Sequence, residues 1–175
     1  MNHLIAILFV TLIILGSVSS MSCQEQPDAP YKHNAIYAEL LGQGILYSIN
    51  YDYLITNNLS LRAGFSSWSI PAIFFIDGDL SFTGYPVMVN YLTGSENSHL
   101  EIGAGIMPVK LSITGHDVFF GADIFGDETI VMGTGTLAYR YQQRDGGLLF
   151  RIGLTPFFYS GKATLSGGLS LGVGF

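Results

Sequence analysis

Charge is scarce in this sequence. Asp, Glu, Lys and Arg make up 11% of 175 residues, against roughly 25% in an average soluble domain. The formal net charge is −6, which leaves no basic patch and argues against a nucleic-acid partner. Long hydrophobic runs are missing too. Only Leu4 to Leu15 forms an extended apolar stretch, well below the about 20 residues that a membrane-spanning helix needs. A single cysteine, Cys23, excludes any internal disulfide. No metal-ligand spacing is visible, and the reading carries no cofactor.

Against these absences stands a mean hydropathy of +0.41 and 22 glycines. Hydrocarbon tolerates only helices and closed barrels, because both satisfy every backbone N–H and C=O internally. With no helical span available, the apolar excess belongs to a β-barrel or to a soluble β-domain with a large core.

Leu4–Leu15 and its small-residue exit, Gly16-Ser17-Val18-Ser19-Ser20, fit a secretory signal peptide over residues 1–22. The segment before it is weak, carrying only the α-amino group and His3, and a buried N-terminal helix is the competing reading. Cys23 follows the expected cleavage site, where acylation of a lipoprotein thiol would fall. Ser20, however, stands where that pattern has an aliphatic residue, so a plain cleavage-site residue or free thiol is the alternative. Residues 23–34 are polar, with Pro27 and Pro30, and read as a disordered lead-in.

From Ala35 onward the pattern has period two, the signature of strands. Eight strands are expected near 35–42, 45–55, 58–67, 83–93, 98–111, 129–142, 147–158 and 163–175. The second, fourth and sixth connections are short: Thr56-Asn57-Asn58, Gly94 to Asn97, and Arg144-Asp145-Gly146-Gly147. Asn and Asp-Gly suit hairpin turns because they tolerate positive φ. The third and fifth connections, about 67–82 and 112–128, are long; the first and seventh are shorter, around Gly42-Gln43-Gly44 and Ser160-Gly161-Lys162. Short turns at one end and longer loops at the other is the arrangement of an outer-membrane barrel.

The faces sharpen this. Tyr47, Ile49, Tyr51 and Tyr53 alternate with Ser48, Asn50 and Asp52. Leu137, Tyr139 and Tyr141 alternate with Thr136, Arg140 and Gln142. The polar face holds Ser, Thr, Gly, Asn and a few ions rather than the Lys and Glu of a solvated face. That suits the cramped interior of an eight-stranded barrel. Its candidate interior network is Glu39, Asp52, Arg62, Asn90, Glu101, Arg140 and Arg151. Turn positions place Asp52 opposite Arg62, Asn90 opposite Glu101, and Arg140 opposite Arg151. Two adjacent guanidinium groups repel unless an acid lies between them, for which Glu101 and Glu39 are the candidates. The expectation is an ionic plug with no wide pore; the alternative is exposed pairs worth ~0–1 kcal/mol. Aromatics are expected as two girdles: Tyr51, Tyr53, Tyr91, Tyr139, Tyr141 and Phe175 toward the turn end, and Trp68, Tyr85, Phe157, Phe158 and Tyr159 toward the loop end.

Several segments resemble known barrels. Gly167 to Phe175, with Leu171, Val173 and the terminal Phe175, looks like the C-terminal signal that the barrel-assembly machinery reads. Glu39–Gly42, Leu46–Tyr51, Val89–Leu92, Gly135–Tyr141 and Phe150–Pro156 resemble a group of small barrels common in Bacteroidetes-type bacteria. The architecture is also similar to the OmpA transmembrane domain and OmpX. The resemblance implies an all-β, eight-stranded up-and-down transmembrane barrel over residues 35–175. It further implies a bacterial outer-membrane location, contact with outer-membrane lipid or lipopolysaccharide, and a monomer. It brings no catalytic residues.

Other motifs carry less. Gly133-Thr134-Gly135-Thr136-Leu137-Ala138 matches a dinucleotide fingerprint on paper, but that motif needs a following helix and here lies within one alternating strand. Asn58-Leu59-Ser60 fits a glycosylation sequon that means little in a bacterial periplasmic turn. His116, Asp117 and Ser112 could form a lipid A-modifying acyltransferase or deacylase site, with a solvated loop as the plainer reading. Asp117, Asp123, Asp127 and Glu128 lack EF-hand spacing. The apolar loop residues Ile70 to Ile76, Phe119 and Phe120 meet lipopolysaccharide or a partner, or are covered by strands that extend above the membrane. The leading expectation is a non-enzymatic barrel with a structural or surface-interaction role. Alternatives are a lipid-modifying enzyme and a narrow pore or carrier of small apolar ligands.

Overall fold

A computed structural model describes residues 32–70, 78–115 and 126–175. The signal segment, Cys23, His116, Asp117 and Asp123 lie outside the described residues, as do the apolar loop residues 71–76, Phe119 and Phe120. Nine antiparallel strands follow in order: β1 Asn34–Leu41, β2 Tyr47–Thr56, β3 Leu59–Ile70, β4 Gly78–Gly84, β5 Val87–Ser95, β6 Ser98–Gly115, β7 Gly126–Gln142, β8 Gly147–Tyr159 and β9 Lys162–Gly174. They make a ring of eight positions, because β4 and β5 form one wall strand. Both pair with β3 on one side and β6 on the other, in unbroken register. The gap between them is Tyr85-Pro86. Pro86 has no N–H for the ladder, so only its carbonyl pairs, accepting from Gly64 N–H at 2.8 Å. The ring closes where β1 meets β9, from Ala35↔Gly174 to Leu41↔Gly168, and no sheet edge is left along that seam.

The turns follow residue chemistry. Asn57-Asn58 is tied by Thr56 Oγ1, which accepts from the N–H groups of Asn58 and Leu59. Ser160 (φ 48°) and Gly161 (φ 75°) give the doubly left-handed pair of a two-residue hairpin turn. At the other end, Lys32 and His33 belong to the structure and not to a disordered lead-in. Lys32 N–H donates to the Arg144 carbonyl, and the His33 carbonyl accepts from Leu54 N–H. These backbone bonds tie the chain's entry to the turn end.

Four strands are longer than their alternation suggests. β3 runs on to Ile70, the β4–β5 strand begins at Gly78, β6 reaches Gly115 and β7 starts at Gly126. β6 and β7 have 18 and 17 residues, well beyond the about 9–11 that cross hydrocarbon. The reason the signal fades is a change of phase. Low in the wall, apolar side chains face outward, as Leu61, Val89, Ile102 and Leu137 do, while Arg62, Asn90, Glu101 and Arg140 are buried. Higher up the pattern inverts. The row Phe65–Tyr85–Pro108–Val131 is followed one step above by Ser67–Thr83–Lys110–Thr129, each row running across four strands. At that level Phe82, Val109, Leu111 and Met132 are the buried side chains. Outward-apolar wall suits lipid and outward-polar wall suits water, so the boundary between these rows marks where the wall leaves hydrocarbon.

The lipid-facing assignment makes a quantitative prediction. Leu137 is 47% exposed and stands between Ile102 and Leu154, which are exposed like it. Leu137→Arg is expected to lower folding stability in bilayers by about 2–4 kcal/mol, read from urea titration of the folded gel band. A loss below about 0.5 kcal/mol would remove this residue from the hydrocarbon.

Candidate functional site: the barrel interior

Three arginines lie in the wall's interior at 0–2% exposure: Arg62 on β3, Arg140 on β7 and Arg151 on β8. Burying a charge is costly unless it is paired and hydrogen-bonded, and each is. Arg140 meets Asp52 at 2.8 Å and Glu101 at 3.4 Å. Arg151 meets Glu101 at 3.0 Å and Glu39 at 2.7 Å. Arg62 meets Glu39 at 2.7 Å. The result is one alternating chain, Asp52–Arg140–Glu101–Arg151–Glu39–Arg62, in which three carboxylates balance three guanidinium groups. Arg140 and Arg151 are direct neighbours across β7 and β8, and Glu101 holds both.

Neutral groups complete the shell. Asn50 Oδ1 accepts from Arg62 Nε and Nη2 at 3.0 and 2.9 Å. Gln142 Oε1 accepts from Arg140 Nε at 2.9 Å, and Thr136 Oγ1 accepts from Arg151 Nη2 at 2.7 Å. The Arg62 guanidinium lies 5.2 Å from the Tyr37 ring centroid, within cation–π range. Glycines make the space. A Cβ at Gly64 would come within 2.4 Å of Asn50 Oδ1, and one at Gly172 within 2.3 Å of the Tyr37 side chain.

Of the expected oppositions, Asp52 with Arg62 and Arg140 with Arg151 are present and Asn90 with Glu101 is not. Asp52 stands opposite Arg62, yet its carboxylate reaches across the lumen to Arg140, while Arg62 turns to Glu39. Backbone opposition constrains Cβ positions, and long guanidinium arms then choose among acids around the ring. Asn90 is opposite Gly103, and Glu101 is opposite Leu92. The β5–β6 turn is Glu96-Asn97, with Glu96 at φ 53°. It is centred one residue later than expected, which moves the register by two and leaves the faces unchanged. Asn90 is buried but bonds to Ser60 Oγ at 3.4 Å and not to the ionic chain.

Two aromatics expected in the outer girdle point inward. Trp68 and Phe157 are partly buried against the cluster of Phe82, Met107, Val109, Leu111 and Met132. Trp68 stacks on Phe82 with centroids 4.9 Å apart. Tyr85 and Phe158 do face outward, as do Tyr51, Tyr53, Tyr91, Tyr139 and Phe175, and Tyr159 is exposed at the end of β8. The lumen is therefore layered: an apolar cap at the loop end, the ionic chain in the middle, and Ala35, Tyr37 and Leu149 packed near the turn end.

The β1–β2 connection, expected as a short one around Gly42-Gln43-Gly44, is part of this interior. Gly42–Gly44 form a single 3-10 turn whose three residues are all buried, with Gln43 at 0% exposure. Its flanks are strained: Leu41 has φ 59°, ψ −141° and Ile45 has φ 66°, ψ −60°. Such conformations cost about 1–3 kcal/mol each for non-glycine residues. The Gly42-Gln43-Gly44 spelling signals a turn, but nothing in it signals the direction of folding. Among the described residues no group of His, Cys, Asp and Glu could hold a metal ion.

Removing one member of the chain strands a buried charge. Glu101→Gln is expected to destabilise the barrel by about 3–5 kcal/mol. Adding Arg151→Met leaves the neutral pairs Asp52–Arg140 and Glu39–Arg62 and should restore most of the loss. Urea titration of both variants checks this, and a double variant no more stable than the single would contradict the pairing.

No family model matches the sequence, and no curated protein matches it. Solved structures do. The N-terminal β-barrel domain of Pseudomonas aeruginosa OprF aligns with a TM-score of 0.55 at 16% identity, covering 82% of this chain and 96% of that one. Neisserial surface protein A aligns with a TM-score of 0.50 at 17% identity, covering 80% and 91%. At these identities the likeness concerns the fold, and it agrees with a ring of eight strands, greasy outside and ionic inside. The chain has the fold of the small eight-stranded outer-membrane β-barrels.

Proposed function

We propose that this protein resides in the bacterial outer membrane as a non-enzymatic barrel with a sealed interior, and that it works through the surface it raises at the loop end. The observation that carries this reading is the phase inversion. One set of four strands is lipid-compatible in its lower half. In its upper half it has a polar outer face and an apolar inner one. Eight strands leave a lumen that side chains fill, and here the filling is a charge-balanced chain beneath an apolar cap. Such an interior supports a plug better than a pore or a carrier of apolar ligands.

The raised sheet comprises the upper parts of β3, β4, β6 and β7, and among the described residues no strand pairs with the outer edge of β3 above Phe65. β2 pairs with β3 only up to Ile49↔Phe65. Above that, the strands are stitched by side chains: Ser66 Oγ donates to the Tyr47 carbonyl at 2.6 Å, and the Tyr47 hydroxyl donates to the Ser67 carbonyl. A cleft of about 640 Å³ opens there, lined by Leu46, Tyr47, Ser67, Trp68, Ser69, Ser81, Phe82 and Thr83. Gly64 N–H points to the β4–β5 strand, so by alternation Ser67 and Ser69 point their backbone groups into the cleft. An unpaired strand edge is a template for an extended segment of another chain, which supports a surface-interaction role. Lys110 and the hydroxyl row beside it face the level of the lipid headgroups, where lipopolysaccharide would lie. Leu171, Val173 and Phe175 project from the outer wall, open to the assembly machinery during insertion. The protein would act as a monomer.

Four measurements test this. The protein should resist carbonate extraction, run faster unheated than heated on gels, and give no steady single-channel current in planar bilayers. Extraction without a mobility shift would sink the membrane reading, and steady currents would sink the sealed lumen. Hydrogen exchange should find the Ser67 and Ser69 amides unprotected beside protected Ser66 and Trp68. Equal protection along β3 would mean the edge is covered.

A further inference from the structure

The two short connections at the loop end behave oppositely. Ser160-Gly161 stands clear of the barrel, and a Cβ at Gly161 would meet nothing within 4 Å. Gly42–Gly44 folds into the mouth and touches both layers of the interior. Gln43 N–H donates to Glu39 Oε2 at 3.2 Å, the same oxygen that takes Arg62. Gln43 Nε2 reaches Met88 Sδ. The Gly44 carbonyl accepts from Leu46 N–H at 2.9 Å and from Trp68 Nε1 at 3.0 Å, while the single Ser66 hydroxyl proton goes to the nearer Tyr47 carbonyl at 2.6 Å. Ile45 packs against the apolar cluster around Phe82.

Closing a hairpin does not require this path. Leu40 pairs with Tyr47, and Leu41 N–H already donates to the Leu46 carbonyl at 2.7 Å. The hairpin is thus sealed beneath the inserted turn. The turn itself is bounded by two apolar residues, Leu41 and Ile45, held at positive φ. Side chains of that kind leave this region when released, β-branched isoleucine most of all. Strained positions at both ends of a short, hydrogen-bonded segment are where an outward swing would be absorbed.

We propose that Gly42–Gly44 is a removable stopper: Trp68 latches it through the Gly44 carbonyl, and its outward swing exposes the Glu39 end of the ionic chain to the loop side. The arginine–carboxylate chain need not break for this to happen. Of the bonds to Glu39 only that from Gln43 N–H is lost, and Glu39 keeps Arg62 and Arg151. The latch sets how far the lumen is reached from outside, and the ionic chain below keeps it sealed.

The test is thiol accessibility in lipid vesicles. In the Cys23→Ser chain, Gln43→Cys reports the stopper and Lys162→Cys reports an exposed position at the same end. A membrane-impermeant maleimide should label Gln43→Cys at least tenfold more slowly than Lys162→Cys. Trp68→Phe, which keeps the stack on Phe82 but loses the indole N–H, should speed labelling of Gln43→Cys severalfold. Heat-modifiable mobility must be retained in each variant, which separates release of the stopper from loss of the barrel. Equal labelling of the two cysteines in the latched protein would overturn the proposal. So would unchanged labelling in a folded Trp68→Phe variant.

Discussion

A strand inside hydrocarbon has no water to satisfy its backbone, so every ladder must be closed by another strand. The pairing of β1 with β9, seven residues on each side, is the bond on which the rest depends. Once it forms, the wall has an inside, and an eight-stranded inside is too narrow for bulk water and too wide to be left empty. Everything else in the structure answers the question of what fills it. The answer varies with height: apolar side chains near the turn end, an ionic chain above them, and an apolar cap at the mouth.

The ionic layer is the unusual choice. A well-packed apolar filling of similar volume is often as stable as a buried ion network, or more so. What ions add here is a distinction between the two faces. A strand slipped by one residue exchanges its faces entirely. For β7 such a slip would carry Arg140 into lipid and Leu137 into the lumen. An arginine at the bilayer midplane costs about 2–4 kcal/mol, and its partners Asp52 and Glu101 would be left unpaired as well. An interior of leucine facing an exterior of leucine would carry no such penalty. In this barrel, charge inside and grease outside fix the register of strands that pair over long sequence separations.

How much of this was legible depended on phase. The alternation through Tyr47–Tyr53 and Leu137–Tyr141 keeps one phase, and the strands, their faces and the barrel could be read from it. The turn spellings placed Asp52 against Arg62 and Arg140 against Arg151 in register. The upper wall was not legible, because Ser67-Trp68-Ser69-Ile70 and Ser81-Phe82-Thr83 alternate in the opposite sense, and a single-phase reading takes them for loop. Trp68 and Phe157 were misassigned for the same reason: an aromatic near the loop end is a girdle residue in one phase and a core residue in the other. The partner of Asp52 was hidden differently. Register limits where a side chain starts, and in a lumen ringed by three acids and three arginines the closure around the ring decides where it ends.

The phase inversion also explains why the first connection folds inward. The raised sheet turns apolar side chains toward the axis, but β1, β2, β8 and β9 stop lower and provide no facing wall. A half-barrel with an apolar inner face needs something laid against it. Phe157, on the high end of β8, supplies part of that cover. Ile45, carried in by the Gly42–Gly44 turn, supplies another part, and its burial offsets the backbone strain at its own φ. Gly42 and Gly44 then follow from crowding: a Cβ at Gly42 would lie 2.6 Å from the Glu39 carboxyl carbon, and one at Gly44 would lie 2.8 Å from the Ser48 Cβ. The inserted turn is thus a consequence of strands of unequal length, and it joins the two interior layers at one carboxylate, Glu39.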